Sequence, residues 1–240
     1  MKKLILMISL FLVLFSCKKD DETPIITLDQ NVATLHHGET IQLTVTPTQA
    51  CTWSSLDTNV VTVSQTGLVT GVRLGDSKII VRSTENNISA ECVVHLTALS
   101  NLYQEPYFTY GQTKEYVKAN ETRELISETS DGLFYLGENS NIRYVGYLFE
   151  NNLVTSADVM FMNSTSIIDE VIDFLNERYY LYGFSDGVAF YDYTFGCIIG
   201  FGYDSSLGLN ALYFKPDTKK STSIYEEYMK AQTLYDSILK

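Results

Sequence analysis

Between residues 25 and 97, apolar positions come in short runs with a period close to two. Ile41, Leu43 and Val45 alternate with polar neighbours inside Leu35–Thr48, a stretch with a turn at Gly38. Val60-Val61-Thr62-Val63 is followed by a turn at Gln65-Thr66-Gly67, and Lys78–Ser83 and Ala90–Leu96 are further runs rich in β-branched residues. Short strands at this spacing, punctuated by glycine turns, predict a β-sandwich. After residue 100 the pattern changes. A short helix is expected over 112–120 and a longer one over 166–179, where Ile168, Val171, Ile172, Leu175 and Tyr179 recur at helical spacing. Ser164, Thr165 and Ser166 are its capping candidates, with Asp169 and Glu170 expected in its first turn.

Sliding the second half on itself by 54 residues lays Tyr144–Phe161 on Ile198–Lys215. Gly146 meets Gly200, Leu153 meets Leu207 and Ala157 meets Ala211, while the turn residues Asn151-Asn152 meet Ser205-Ser206. Each copy reads as two strands around a tight polar turn. Two more strand-like runs follow each helix: Arg123–Glu128 and Leu133–Gly137 in the first copy, Tyr180–Phe184 and Val188–Tyr193 in the second. The predicted unit is a helix and four antiparallel strands, used twice. One unit has a sheet face too apolar to leave wet; two side by side would form a continuous sheet with helices over one face. Ser221–Lys240 reads as a closing helix, with Ser223 and Glu226 as a capping box. Ile224, Tyr228, Ala231, Tyr235 and Ile238 form the stripe that would pack on the sheet.

The order Trp53-Ser54-Ser55, Val61-Thr62-Val63, Gly67-Leu68-Val69-Thr70-Gly71, Gly75 and Ile79-Ile80-Val81 resembles a bacterial immunoglobulin-like domain of group 2. The resemblance implies a spacer or adhesive module without catalysis, with Trp53 between its sheets. In the immunoglobulin plan the strand holding Trp53 and the last strand share a sheet, which makes Cys51 and Cys92 candidates for a disulfide. The helix-plus-four-strand repeat resembles, in element order, the β-lactamase-inhibitor-protein-like fold, which implies a protein-binding sheet. The fold class expected is therefore two domains: an all-β immunoglobulin-like sandwich over 25–98, then an α+β domain over 103–240 with an antiparallel sheet and a C-terminal helix.

The first residues add an address. Met1-Lys2-Lys3 is followed by a 12-residue apolar run, Leu4–Phe15, too short to span a bilayer, which takes about 20 residues. Leu14-Phe15-Ser16-Cys17 resembles the lipobox of bacterial lipoproteins, although Phe15 is bulkier than usual there. Residues 1–16 are read as a signal peptide, Cys17 as the lipidation site and 17–24 as a tether. The charged Lys18–Glu22 run is similar to the start of lipoproteins of the Bacteroidetes. The expected place is the cell envelope, anchored to the outer membrane, on the periplasmic face or the cell surface.

Charge and chemistry narrow the function. A net charge of -12 argues against nucleic acid or an anionic membrane surface as partner. Residues 103–240 contain no histidine, which excludes Ser–His and Cys–His arrangements and histidine-ligated metals within that stretch. His36 and His37 adjoin the Gly38 turn, and adjacent histidines on a strand point to opposite faces, which argues against a shared metal. The cysteines lack metal-ligand spacing, and Cys197 reads as a small buried residue. Gly200-Phe201-Gly202 sits in a strand pattern without the third glycine of a nucleotide loop. Asp186, Asp192 and Asp204 lie near strand ends, and nothing singles out a catalytic pair. No catalytic residue, metal or cofactor is expected.

All 17 tyrosines lie at or after Tyr103. Exposed tyrosine suits interfaces and sugar-stacking surfaces, being large, rigid and polar at its tip. Tyr180, Tyr182, Tyr191 and Tyr193 form the candidate binding surface. The leading expectation is a non-catalytic, lipid-anchored protein that binds another protein. The alternative is a glycan-binding lipoprotein with a row of exposed tyrosines on one sheet face. A hydrolase would need a cleft holding two close acids.

Overall fold

The structure, a computed structural model, describes residues 24–193, 196–217 and 223–239. The signal peptide, Cys17 and nearly all of the tether lie outside the described residues, as does the side chain of Ile238. The chain is mostly β, with three helices among the described residues. No helix there is long and apolar enough to cross a membrane.

The N-terminal part carries nine short strands: β1 (Thr27–Leu28), β2 (Val32–Leu35), β3 (Thr40–Gln42), β4 (Val45–Thr46), β5 (Cys51–Ser55), β6 (Val61–Val63), β7 (Leu68–Gly71), β8 (Gly75–Ser83) and β9 (Ser89–Leu96). They form a four-stranded sheet β2-β9-β8-β5, a three-stranded sheet β3-β7-β6 and a β1-β4 pair. β2 runs parallel to β9; the other pairings are antiparallel. Alternate residues turn inward, so Leu43, Trp53, Val61, Val69, Ile79, Val81, Cys92 and Val94 share one core. Gly67 makes that core closable. Its φ is +83°, and a Cβ there would come within 2.9 Å of the Trp53 ring and 2.6 Å of the Leu43 carbonyl oxygen.

Cys51 and Cys92 are free thiols, which corrects the disulfide expected for them. The two strands do share a sheet, but β8 lies between them. Cys51 pairs with Ser83 and Cys92 with Ile79, four residues apart along β8. Two strand spacings plus about 13 Å along the strand exceed the roughly 7 Å limit between bridged Cα atoms.

The C-terminal part runs α1 (Lys114–Asn120), β10 (Leu125–Glu128), β11 (Gly132–Leu136), β12 (Ile142–Glu150), β13 (Leu153–Phe161), α2 (Thr165–Arg178), β14 (Leu181–Ser185), β15 (Val188–Asp192), β16 (Ile198–Asp204), β17 (Gly208–Phe214) and α3 (Ile224–Leu239). Its eight strands make one antiparallel sheet in the order β10-β11-β12-β13-β17-β16-β15-β14. The 54-residue repeat is written into the register. Gly146 pairs with Asp158 as Gly200 pairs with Leu212, and Tyr147 with Ala157 as Phe201 with Ala211.

Both faces of this sheet are covered. Val117 of α1 and Ile167, Val171, Phe174 and Leu175 of α2 pack with Val145, Tyr147, Val159, Phe161, Tyr191 and Tyr213 on one face. Tyr228 and Tyr235 of α3 pack with Phe134, Leu148, Met160, Phe190, Leu212 and Phe214 on the other. Cover on both faces explains why burial is unbroken along Ser156–Phe161 of β13 and along all of β17. The inward stripe of α2 differs from that expected: Ile167 and Phe174 are buried and Ile168 is exposed. The helix begins at Thr165, so Asp169 and Glu170 fall beyond its first turn, and Ser164 makes no side-chain cap bond. The capping box of α3 is formed: the Glu226 N–H donates to Ser223 Oγ (3.2 Å) and the Ser223 N–H to Glu226 Oε2 (3.1 Å).

Candidate functional site

β10 and β14 are the two edges of the large sheet, and they are equivalent positions of the repeat. Leu125, Ser127 and Glu128 pair with Tyr135, Phe134 and Leu133; Leu181, Gly183 and Phe184 pair with Tyr191, Phe190 and Ala189. The offset throughout is 56 residues, and even the bulge recurs, at Ile126 and at Tyr182. The side chains at these matched places differ in kind. β10 carries Glu128, which takes Lys118 Nζ at 2.7 Å and Lys114 Nζ at 3.4 Å. β14 has Phe184 in its place, 73% exposed. Glu124 precedes β10, and Tyr180, 59% exposed, precedes β14. The bulge residue Tyr182 is 61% exposed.

Of the four tyrosines singled out from the sequence, the structure leaves Tyr180 and Tyr182 exposed and removes the other two. Tyr191 is buried under the helices. Tyr193 is half-buried, its ring 5.2 Å from Tyr213 and 5.5 Å from Tyr179. β15 is an inner strand covered on both faces, so its tyrosine cannot face water. The exposed set is instead Tyr180, Tyr182 and Phe184, with Tyr203 67% exposed on β16. Phe184 and Tyr203 were not picked out from the sequence. The Asp186-Gly187 turn marks 181–185 as one arm of a hairpin, and the strand order places that arm at the edge.

The acids considered for catalysis serve turns or face solvent. Asp204 accepts the N–H groups of Ser206 (2.7 Å) and Leu207 (2.9 Å). Asp186 occupies a turn position with φ +50°, and Asp192 is exposed. Among the described residues no group of three His, Cys, Asp or Glu side chains is placed to hold a metal.

Two buried polar clusters hold elements in place. At the end of α2, the buried Glu177 carboxylate accepts the backbone N–H groups of Leu99 and Ser100 at 3.2 Å each. The Leu74 N–H reaches the Glu177 carbonyl (2.8 Å), and Arg178 donates to the Ser100 carbonyl (2.8 Å). The loop before β8 and the segment after β9 are thus tied to one helix end. Nearby, the Arg178 guanidinium lies 3.6 Å from Glu105, which accepts from the Tyr179 hydroxyl. Burial pushes the Glu105 carboxyl above its usual range.

The second cluster lies beneath α3. Asn210 Nδ2 donates to both carboxylate oxygens of Asp158 (3.0 and 2.9 Å). Tyr228 donates to Asn210 Oδ1 (3.3 Å), and Gln232 to the Tyr228 hydroxyl (2.9 Å). Asp158 is fully buried, and desolvation pushes its carboxyl up to about 8.

The inward Trp53, the turn at Gly67 and the two small sheets around them give the N-terminal part its character. Residues 22–94 match the family model of the bacterial Ig-like domain (group 2). A curated relative matches part of the chain as well. An uncharacterized protein of Clostridium acetobutylicum is 39% identical over 83 residues. The alignment takes in 32% of this chain and spans 9% of that protein. Two solved structures of the S-layer protein SbsC are also similar. Domains 5–6 are 12% identical, with 82% of this chain and 86% of that chain covered. Domains 4–9 are 13% identical, with 82% and 27% covered. Both superpose at a TM-score of 0.26, too low to carry an argument about fold or role.

Proposed function

We propose that this chain is a non-catalytic, lipid-anchored envelope protein. Its Ig-like domain, over 25–98, holds a second domain, over 103–240, away from the membrane so that the second can bind a protein. The Ig-like match fits a cell-envelope or surface location. The lipid on Cys17 rests on the Leu14-Phe15-Ser16-Cys17 sequence. The observation that carries the binding role is the exposed, uncharged edge strand with Tyr180, Tyr182 and Phe184. An edge strand offers unpaired backbone donors and acceptors, and aromatic side chains supply most of the contact energy in protein interfaces. The glycan reading needs a row of tyrosines on a sheet face; here the exposed rings follow an edge, and Tyr191 is buried.

The test is cross-linking of the tagged, full-length protein in its native envelope, with mass spectrometry of what is captured. Links at or beside 180–185 to one dominant protein support the reading. Robust turnover of a substrate by the mature chain, or capture of no protein through this edge, sinks it.

A further inference from the structure

We propose that the protein bound along β14 is a second copy of this chain, paired antiparallel about a two-fold axis at Gly183. This rests on the reading of β14 as the binding edge and names its occupant. The first argument is the internal contrast between edges. Charged residues on an edge strand deter pairing with another chain. The repeat provides two edges of the same geometry, and Glu124 and Glu128 guard one of them. At the matched places the other carries Tyr180 and Phe184, and no residue of β14 is charged.

The second argument is register. Asp186 and Gly187, both with positive φ (50° and 83°), close the β14–β15 hairpin, making Ser185 and Val188 its last paired residues. Alternation along an antiparallel ladder then turns the N–H and C=O of Phe184 outward. Tyr182, the bulged residue, has no partner in β15. A two-fold axis at Gly183 sets Phe184 of each copy across the seam from Tyr182 of the other, so four exposed aromatic rings line the contact.

The third argument is charge. The chain is strongly acidic (net charge -12 over the full sequence), so two copies repel and self-association needs a neutral or complementary contact. In this register Asp186 of one copy comes opposite Tyr180 of the other. The guanidinium of Arg73 stands 5.4 Å from the centre of that tyrosine ring. Each Asp186 therefore meets a cation of the other copy. The same arrangement built on β10 would set the charged Glu128 of each copy opposite the apolar Ile126 of the other.

Six partly exposed rings bury on the order of 800 Å², the range of a weak interface. Tethering both copies to one membrane raises their effective concentration and favours such a pair.

The test uses the full-length protein in its own envelope. Gly183→Cys is suitable because a Cβ at Gly183 meets nothing within 4 Å. Two such cysteines on the axis fall within bridging distance. Mild oxidation with copper phenanthroline is expected to give a reducible dimer of Gly183→Cys. Wild type and Tyr203→Cys, an exposed position away from the edge, should give none. Adding Phe184→Glu, which copies β10, should cut the dimer at least fivefold while far-UV circular dichroism stays unchanged. No dimer above the Tyr203→Cys level from folded protein overturns the proposal. So does a Gly183→Cys adduct with a different protein, which would leave the protein-binding reading standing. A β14 edge that captures neither a copy nor another protein overturns both.

Discussion

Asp158 and Leu212 face each other across β13 and β17, and they are also equivalent positions of the 54-residue repeat. A residue that pairs with its own counterpart marks a local two-fold axis, so the two halves of the sheet are related by a dyad between these side chains. A symmetric face could accept α3 in two opposite directions. The polar groups break that symmetry: Asp158 is matched by Leu212, and Asn210 by Ser156. Tyr228 and Gln232 reach toward Asn210, fixing one direction.

The first prediction concerns pH. The folded-state carboxyl of Asp158 is raised to about 8 from an ordinary 3.8, so the folded chain holds a proton that the unfolded chain releases in between. Stability from this group is full below about pH 4 and falls as pH rises toward 8. The loss amounts to a few kcal/mol, since one pKa unit corresponds to about 1.4 kcal/mol. Urea unfolding of Asp158→Asn should show a flatter dependence than wild type between pH 5 and pH 8. Equal slopes would show that Asp158 is not buried in its neutral form.

A second prediction follows from how α3 is seated. Tyr228 lies against Gly200 and Tyr235 against Gly146, seven residues apart on the helix. The Tyr235 hydroxyl donates to the Gly146 carbonyl (3.1 Å). A Cβ at Gly200 would lie 2.5 Å from the Tyr228 ring, and one at Gly146 would lie 2.9 Å from the Tyr235 ring. Overpacking of this kind costs about 1–3 kcal/mol. Gly200→Ala should therefore destabilise more than Gly146→Ala in chemical denaturation. It should also speed proteolysis between β17 and α3. Unchanged stability in both would mean that α3 is not held by these contacts.

Much of this was readable from the sequence, and the misses share a cause. The repeat, the hairpins and the stripe of α3 follow from spacing alone, because periodicity reports which side of an element is apolar. Trp53 and Gly67 were legible because a large ring and a positive-φ turn each need a specific residue. What spacing does not report is which strand lies next to which. Tyr182 and Tyr191 look alike in sequence, yet one is on an outer strand and the other on an inner one. Cys51 and Cys92 were assigned to one sheet, but the interposed β8 is a fact of strand order. Phe184 is hidden in the sequence because a phenylalanine in a strand-like run reads as core.

The link between the two parts gives a third prediction. Glu177 is almost fully buried and satisfies two backbone N–H groups, those of Leu99 and Ser100. Truncation removes two hydrogen bonds to a charged acceptor, each contributing about 1.5–3 kcal/mol. Glu177→Ala should loosen the attachment of the Ig-like part to α2 while leaving each core intact. Calorimetry of the variant should show the N-terminal and C-terminal transitions separating, and small-angle scattering a larger radius of gyration. A profile identical to wild type would show that Glu177 contributes nothing to the junction.

The last prediction is redox. Two cysteines in one sheet of a cell-envelope protein invite a structural disulfide, which typically contributes about 2–4 kcal/mol. Here Cys51, Cys92 and Cys197 are all free, and β8 keeps the first two apart. Burial raises the Cys92 and Cys197 thiols above their ordinary range, which slows their oxidation. A soluble form purified without reductant and carrying Cys17→Ser should titrate three thiols after denaturation. Its melting temperature should not change on adding dithiothreitol. One thiol and a drop in melting temperature would mean that β5 and β9 are bridged, and that the strand order of the four-stranded sheet is wrong.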